Sequence, residues 1–182
     1  MNPPDGVEGL VAALQDCWRR TAEIASDVHG LSHRLHPSKL EALGLVATIR
    51  AHCRDVSRQS ISVYFAERNV RAGIPPDVAL CLFRVLEEAL TNVAKHSGAS
   101  EAEVTLYGTE EDLTLRVADS GRGFAQDVAR VDGVGLVSMR ERLQALGGTL
   151  SIDSAPGKGT IVEATISTAQ FGAVSTRIDA SA

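Results

Sequence analysis

Arg84-Val85-Leu86-Glu87-Glu88-Ala89-Leu90-Thr91-Asn92-Val93-Ala94-Lys95-His96 is the run from which both fold and site are read. It lies inside a helical pattern that starts after Pro75-Pro76-Asp77 and stops at Ser97-Gly98, with Asp77 the expected N-cap and Gly98 the expected C′ residue. Leu82, Val85, Leu86, Ala89, Leu90 and Val93 recur at helical spacing and form one broad apolar stripe. Glu88, Asn92 and Lys95, at i, i+4 and i+7, stack on a different face. A carboxylate and an amide oxygen can hold a hard cation or its waters, and an ammonium can hold phosphate. Taken alone, the stripe is equally well explained as the solvated face of an amphipathic helix.

The totals narrow the field. A chain of 182 residues suits one domain with a short appended segment. With 44% hydrophobic residues it has enough for a core, and with 4% aromatics that core is expected to be Leu, Val, Ile and Ala. A net charge of −5 argues against a nucleic-acid surface, because no basic excess replaces phosphate counterions. Cys17, Cys53 and Cys81 are odd in number and all within helical patterns, which reads as buried or inert thiols rather than a disulfide framework or zinc site. No apolar run approaches the ~18–20 residues that span a bilayer. The N-terminus lacks a basic-then-apolar signal pattern. The expected location is cytoplasmic with no membrane contact from this chain, whether or not a longer parent is membrane-anchored.

Along the chain, Val7 to about Leu35 is rich in helix formers, with Trp18 as a packing residue. Pro37 marks a break, and a second helix is expected over Leu40–Ser57. Ile61, Val63 and Phe65 alternate with Ser62, Tyr64 and Ala66, a strand signal. Beyond the organising helix, Ala102–Tyr107, a polar turn and Leu113–Ala118 read as a hairpin. Residues 119–135 are a Gly-, Asp- and Arg-rich loop, Leu136–Leu146 is helical up to Gly147-Gly148, and Thr149–Asp153 and Ile161–Ile166 are two further strands. The tail from Ala169 is small and polar and expected to fray. These elements predict an α+β two-layer sandwich, one mixed β-sheet with helices on one face, preceded by an N-terminal helical segment.

Three loops carry possible chemistry. In Asp119-Ser120-Gly121-Arg122-Gly123-Phe124, directly after a strand, the spaced glycines allow close backbone approach to a flat ligand, and the Asp can accept from an exocyclic amine. Gly133-Val134-Gly135-Leu136 opens a helix, whose N-terminus offers free N–H groups and a positive dipole end suited to phosphate. Gly157-Lys158-Gly159-Thr160 is not a P-loop, since Gly rather than Ser or Thr follows the Lys, and no G-x-G-x-x-G opens a helix after a strand.

The ordered set Glu88-x-x-x-Asn92-x-x-Lys95-His96, Asp119-x-Gly121-x-Gly123-Phe124, Gly133-x-Gly135-Leu136 and Gly159-Thr160 resembles the Bergerat-type ATP-binding fold shared by sensor histidine kinases, Hsp90-type chaperones, DNA gyrase and MutL-type ATPases. The run from Gly135 through Met139-Arg140-Glu141-Arg142-Leu143 to Gly147-Gly148, and Ser154-Ala-Pro-Gly-Lys-Gly-Thr160, resemble two-component sensor histidine kinases. The short loop from Phe124 to Gly133 and Ser32-His-Arg-Leu-His-Pro37 resemble the nitrate/nitrite-sensor-like subfamily. The resemblance covers roughly residues 24–167.

It implies ATP as ligand and Mg²⁺ as its partner ion. Asn92 matches the metal-coordinating Asn, and Glu88 the Glu that polarises a water or the incoming His nucleophile. Lys95 and His96 match a phosphate-facing pair. Asp119 matches the adenine-amine acceptor, with Gly121 and Gly123 giving room for the base. Gly133, Gly135 and Leu136 match a mobile lid, and Thr160 the hydroxyl that holds the adenine-site water. Phosphoryl transfer depends on positioning and charge neutralisation, which these residue types supply.

Such kinases carry a phosphoacceptor His in an Arg-Glu-Leu-His-Asp-like run, and none is present. Residues 1–38 therefore read as the remnant of a dimerisation and phosphotransfer hairpin, 39–168 as the catalytic domain and 169–182 as a flexible tail. The expected partners are a response regulator and the dimerisation segment of a homodimeric parent kinase. His29, His33 and His36 share one helical stripe, but without a carboxylate or Cys on that stripe they read as packing or solvent-facing residues. Two other readings use the same residues: a non-catalytic ATP-binding switch or scaffold, and an anti-sigma-type serine kinase or chaperone- or topoisomerase-type ATPase. Intact Glu88 and Asn92 argue against the first. The Met139–Leu143 run and Leu35-His-Pro argue against the second.

Overall fold

In chain order the elements are α1 (Pro37–Gln59), β1 (Ser62–Arg68), α2 (Pro76–Asn92, continued by a π turn Val93–Ser97), β2 (Glu101–Gly108), β3 (Asp112–Asp119), α3 (Val134–Ala145), β4 (Thr149–Ser154) and β5 (Thr160–Ser167). The computed structural model describes residues 37–125 and 134–169, and from Leu40 onward these belong to one compact unit. The readings made for residues 1–36, for Gly133 and for the tail from residue 170 fall outside the described residues.

The five strands form one mixed sheet in the order β1-β2-β3-β5-β4, parallel between β1 and β2 and antiparallel elsewhere. This is the expected α+β sandwich. Alternation sorts the sheet into two faces. On the face toward the helices, register pairs Leu113 with Ile166, then Leu115 with Ala164 and Leu150, then Val117 with Val162 and Ile152. Against these rungs lies α2, whose stripe residues Leu82, Val85, Leu86, Ala89, Leu90 and Val93 are all buried. Met139 and Leu143 of α3 and Leu45, Ile49 and Cys53 of α1 complete the core. Helix α1 also leans on the β1 edge, where Arg50 pairs with Glu67 at 2.6 Å and lies over the Phe65 ring.

Two local features differ from the sequence reading. Asp77 is not the N-cap of α2: the cap is Pro75, with no side-chain bond, and Pro76 is the first helical residue. A proline at that position has no N–H to satisfy and its φ is already helical, so no capping oxygen is needed. Asp77 instead accepts the Val78 amide at 2.9 Å within the first turn, where its charge suits the positive helix end. Helix α1 is longer than Leu40–Ser57 and is broken at Gly44, whose φ of 77° and ψ of 170° leave the helical region. At the other end of α2, Gly98 does close the run in the left-handed conformation, φ 72°.

Burial pushes the Cys53 thiol up to about 12 and the Cys81 thiol up to about 11, both from 9.0. Both thiols are free. They stay protonated in the folded chain where the unfolded chain would ionise. Their contribution to stability is therefore full below pH 9 and is lost as pH rises through the folded values. The urea midpoint should hold steady from about pH 7 to 8.5 and fall between about pH 9 and 11. Leu86→Ala, which empties a fully buried site on α2, should lower the unfolding free energy by about 3 kcal/mol in the same titration.

Candidate functional site

The apolar rungs end in a polar one. Continuing the register past Val117 and Val162 pairs Asp119 of β3 with Thr160 of β5, and Thr160 with Ser154 of β4. By alternation this row faces the helices, as the apolar rungs do. Ser154 is buried and Asp119 and Thr160 are half-buried, and polar groups withdrawn from water need partners, which these have. Asp119 Oδ1 accepts the Gly121 amide at 2.8 Å. Ser154 Oγ accepts the Phe124 amide at 3.0 Å, donates to the Gly159 carbonyl at 2.9 Å and lies 3.0 Å from Thr160 Oγ1.

The loop after β3 is therefore bolted down on two sides. Toward β4–β5, Gly157 N–H donates to the Arg122 carbonyl at 2.6 Å. There Gly159, φ 75°, lies against the Asp119 carbonyl, and Gly123, φ 57°, against the Ala155 carbonyl; a Cβ on either would overlap backbone. Toward α2, Arg122 N–H donates to the Ser97 carbonyl at 2.8 Å. Ser97 is itself buried, and its hydroxyl donates to the Val93 carbonyl at 2.7 Å while accepting the Ala99 amide.

Between this loop, α2, α3 and the sheet lies a cavity of about 360 Å³, within the ~300–1,000 Å³ typical of small-molecule sites. Val117, Val162 and Ile152, the last apolar rung, line its floor, and Val93, Phe124 and Leu136 its sides. Asn92, His96, Asp119 and Thr160 supply polar groups to the same space. The apolar lining suits a flat ring, and the polar groups fix how it is turned.

Of the residues expected at a site, Asn92, His96, Asp119, Gly123, Leu136 and Thr160 line this cavity together. Glu88 stands one turn before Asn92, with its carboxylate against the Cα of Gly135 in the first turn of α3; a Cβ there would overlap it. Gly121 is not a lining residue: its open side is filled by Ser97. Lys95 is exposed and also absent from the lining. Simple i, i+4, i+7 counting aligned it with Asn92, but the π turn that begins at Val93 holds more residues per turn and rotates Lys95 away while keeping His96. Arg140 is exposed, and Arg142 donates to Ser138 at 3.1 Å one turn back; neither lines the cavity.

Ser97 and Ser154 carried no site role in the sequence reading. Single serines in a loop or strand end have no pattern of their own, and only the register and the π turn give them three partners each.

Residues 77–170 match the histidine kinase-, DNA gyrase B-, and HSP90-like ATPase family. The chain belongs to this ATPase family. The chain is 28% identical over 158 residues to the signal transduction histidine-protein kinase/phosphatase DegS of Brevibacillus brevis, covering 86% of this chain and 41% of that protein. It is 32% identical over 158 residues to the oxygen sensor histidine kinase NreB of Staphylococcus carnosus, covering 86% and 43%. It thus spans less than half the length of these relatives. The fold is shared with the histidine kinase domain of the Erythrobacter litoralis EL346 blue-light activated histidine kinase, at a TM-score of 0.57 and 24% identity, over 70% of this chain and 62% of that one. Among the described residues no helix is long and apolar enough to cross a membrane.

Gly159→Ala places a methyl against the Asp119 carbonyl at a left-handed backbone position. It should weaken adenine-nucleotide binding by about 5- to 100-fold, measured by calorimetry, because strain of that kind costs ~1–3 kcal/mol and falls on the loop that carries Asp119.

Proposed function

We propose that this chain is the ATP-binding catalytic module of a two-component sensor histidine kinase. It would transfer the γ-phosphoryl of ATP to a His on a dimerisation segment, for relay to an Asp of a response regulator. In this reading residues 39–168 are the catalytic domain, 1–38 the remnant of the dimerisation hairpin and 169–182 a tail. The parent protein is a homodimer whose catalytic part works in the cytoplasm.

The observation that carries the reading is the convergence of Asn92, Asp119 and Thr160 on one apolar-floored cavity, with Glu88 at its α3 edge. The last apolar rung offers a flat floor for a purine, and Asp119 keeps Oδ2 available for an amine while Oδ1 holds the loop. Asn92, His96 and Leu136 line the cavity beside the first turn of α3, and a phosphate chain placed there would meet the kind of N–H groups that a helix N-terminus offers.

Mg²⁺ is the ion this donor set fits. It binds through one or two protein oxygens plus substrate phosphates and keeps several waters. Among the described residues no group of three His, Cys, Asp or Glu side chains could hold a metal alone, so the Asn92 carboxamide would share the ion with the nucleotide. The bound ion would supply charge neutralisation on the phosphates.

Glu88 makes no hydrogen bond or ion pair among the described residues. Its carboxylate is thus available as a base. An acceptor imidazole nitrogen attacks the γ-phosphorus, the N–P bond forms as the β–γ bridging P–O bond breaks, and ADP leaves. Glu88 takes the proton from the imidazole's other nitrogen, which keeps the attacking nitrogen electron-rich.

Asn92→Ala should abolish the Mg²⁺-dependent part of ATP binding in isothermal titration. Glu88→Gln should keep binding within about threefold but slow phosphorylation of a supplied acceptor-His segment by about 100-fold or more. An acid-labile phosphate on that segment is the expected product with radiolabelled ATP. A wild-type-like Asn92→Ala variant, or an acid-stable phosphoserine, would refute the assignment.

A further inference from the structure

The three neighbours of Ser154 Oγ fix the direction of every hydrogen bond around it. A serine hydroxyl has one hydrogen and two lone pairs. The Gly159 carbonyl, at 2.9 Å, can only accept, so it takes the hydrogen. The Phe124 amide, at 3.0 Å, can only donate, so it takes one lone pair. The remaining lone pair faces Thr160 Oγ1 at 3.0 Å, which makes Thr160 the donor. Ser154 is 6% exposed, so bulk water does not compete for these positions. With its one hydrogen committed to Ser154, Thr160 presents only lone pairs to the cavity. Its register partner Asp119, one oxygen engaged by Gly121, also presents only acceptors when ionised.

We propose that Ser154 is a positioning residue that sets the hydrogen-bond polarity of the purine slot. By holding Thr160 as an acceptor beside Asp119, it makes the terminal rung select a base edge that carries an amino group and reject one that carries a carbonyl. The inference rests on the nucleotide reading above and adds to it the residue that enforces base choice. An intervening water does not change the outcome. A water that donates both hydrogens to Asp119 and Thr160 has only lone pairs left for the base, and again calls for a donor such as the exocyclic amine.

ADP and IDP differ at this edge, an exocyclic amino group beside a bare N1 in one and a carbonyl beside an N1–H in the other, and serve as probes with Mg²⁺ and the full chain; the amino-for-carbonyl exchange at position 6 is the one the terminal rung reads. Wild type should bind ADP about 10- to 100-fold more tightly than IDP, the range of one mismatched buried hydrogen bond. Ser154→Ala frees the Thr160 hydroxyl to turn and donate, so the ADP:IDP ratio should fall by about fivefold or more, beyond any common loss of affinity. Ser154→Thr, which keeps the hydroxyl, should restore the ratio. Thr160→Val removes the acceptor by a separate route and should also lower the ratio, so the test stands even where Ser154→Ala fails to fold. An unchanged ratio in Thr160→Val, or in a folded Ser154→Ala that weakens both nucleotides equally, overturns the proposal. Equal wild-type affinity for ADP and IDP overturns it while the nucleotide reading survives. Wild type that binds neither removes both.

Discussion

The structure depends on how far one apolar face can extend. Helix α2 buries its stripe against three successive apolar rungs of the sheet, and the fourth rung, Asp119–Thr160–Ser154, is polar. A helix side chain packed onto that row would strand a carboxylate and two hydroxyls away from water, at a cost of several kcal/mol. The stripe gives way to the π turn beside this row, and the space left between them is the cavity. Core and site are thus two ends of one face, apolar where the helix covers it and polar where a ligand can.

The row is held by backbone and side-chain hydrogen bonds together. The Asp119–Phe124 loop is tied to the π turn through Ser97 and to the β4–β5 turn through Ser154 and Gly157. Glycines at 123 and 159 let these backbones touch. The other side of the cavity is built differently. Leu136 and Gly135 belong to the start of α3, and Glu88 meets that helix end without a hydrogen bond of its own among the described residues. A wall fixed by hydrogen bonds on one side of the cavity, opposite a helix end, is an arrangement that can hold one part of a ligand in a set place.

Electrostatic pairing contributes little to this framework. Arg50–Glu67 and Arg58–Asp55 lie at the surface, where such pairs are worth ~0–1 kcal/mol. Arg84–Glu87 is the exception in burial, at 2.6 Å on α2, yet among the described residues Arg84 Nε and Nη2 have no partner. Stability rests on the aliphatic core formed by α1, α2, α3 and the inner sheet face.

Periodicity in the sequence determined the elements. Alternation in β1 to β5, the 3.6-residue stripe of α2 and the glycine stops of α2 and α3 are each set by neighbours within a few residues. The candidate polar residues Asn92, His96, Asp119 and Thr160 were legible as well, because their types and order are unusual for a plain core helix and its loops. What remained for the tertiary structure was everything set by contact across the chain. Strand order and register alone put Asp119, Thr160 and Ser154 in one row, although 35 and 41 residues separate Asp119 from Ser154 and Thr160. The π turn alone parted Lys95 from Asn92, since a one-residue widening of a helical turn leaves no mark in hydrophobic spacing. Ser97 and Ser154 acquired their roles only there: a hydroxyl has meaning as a donor or acceptor when its partners are fixed, and those partners come from distant segments.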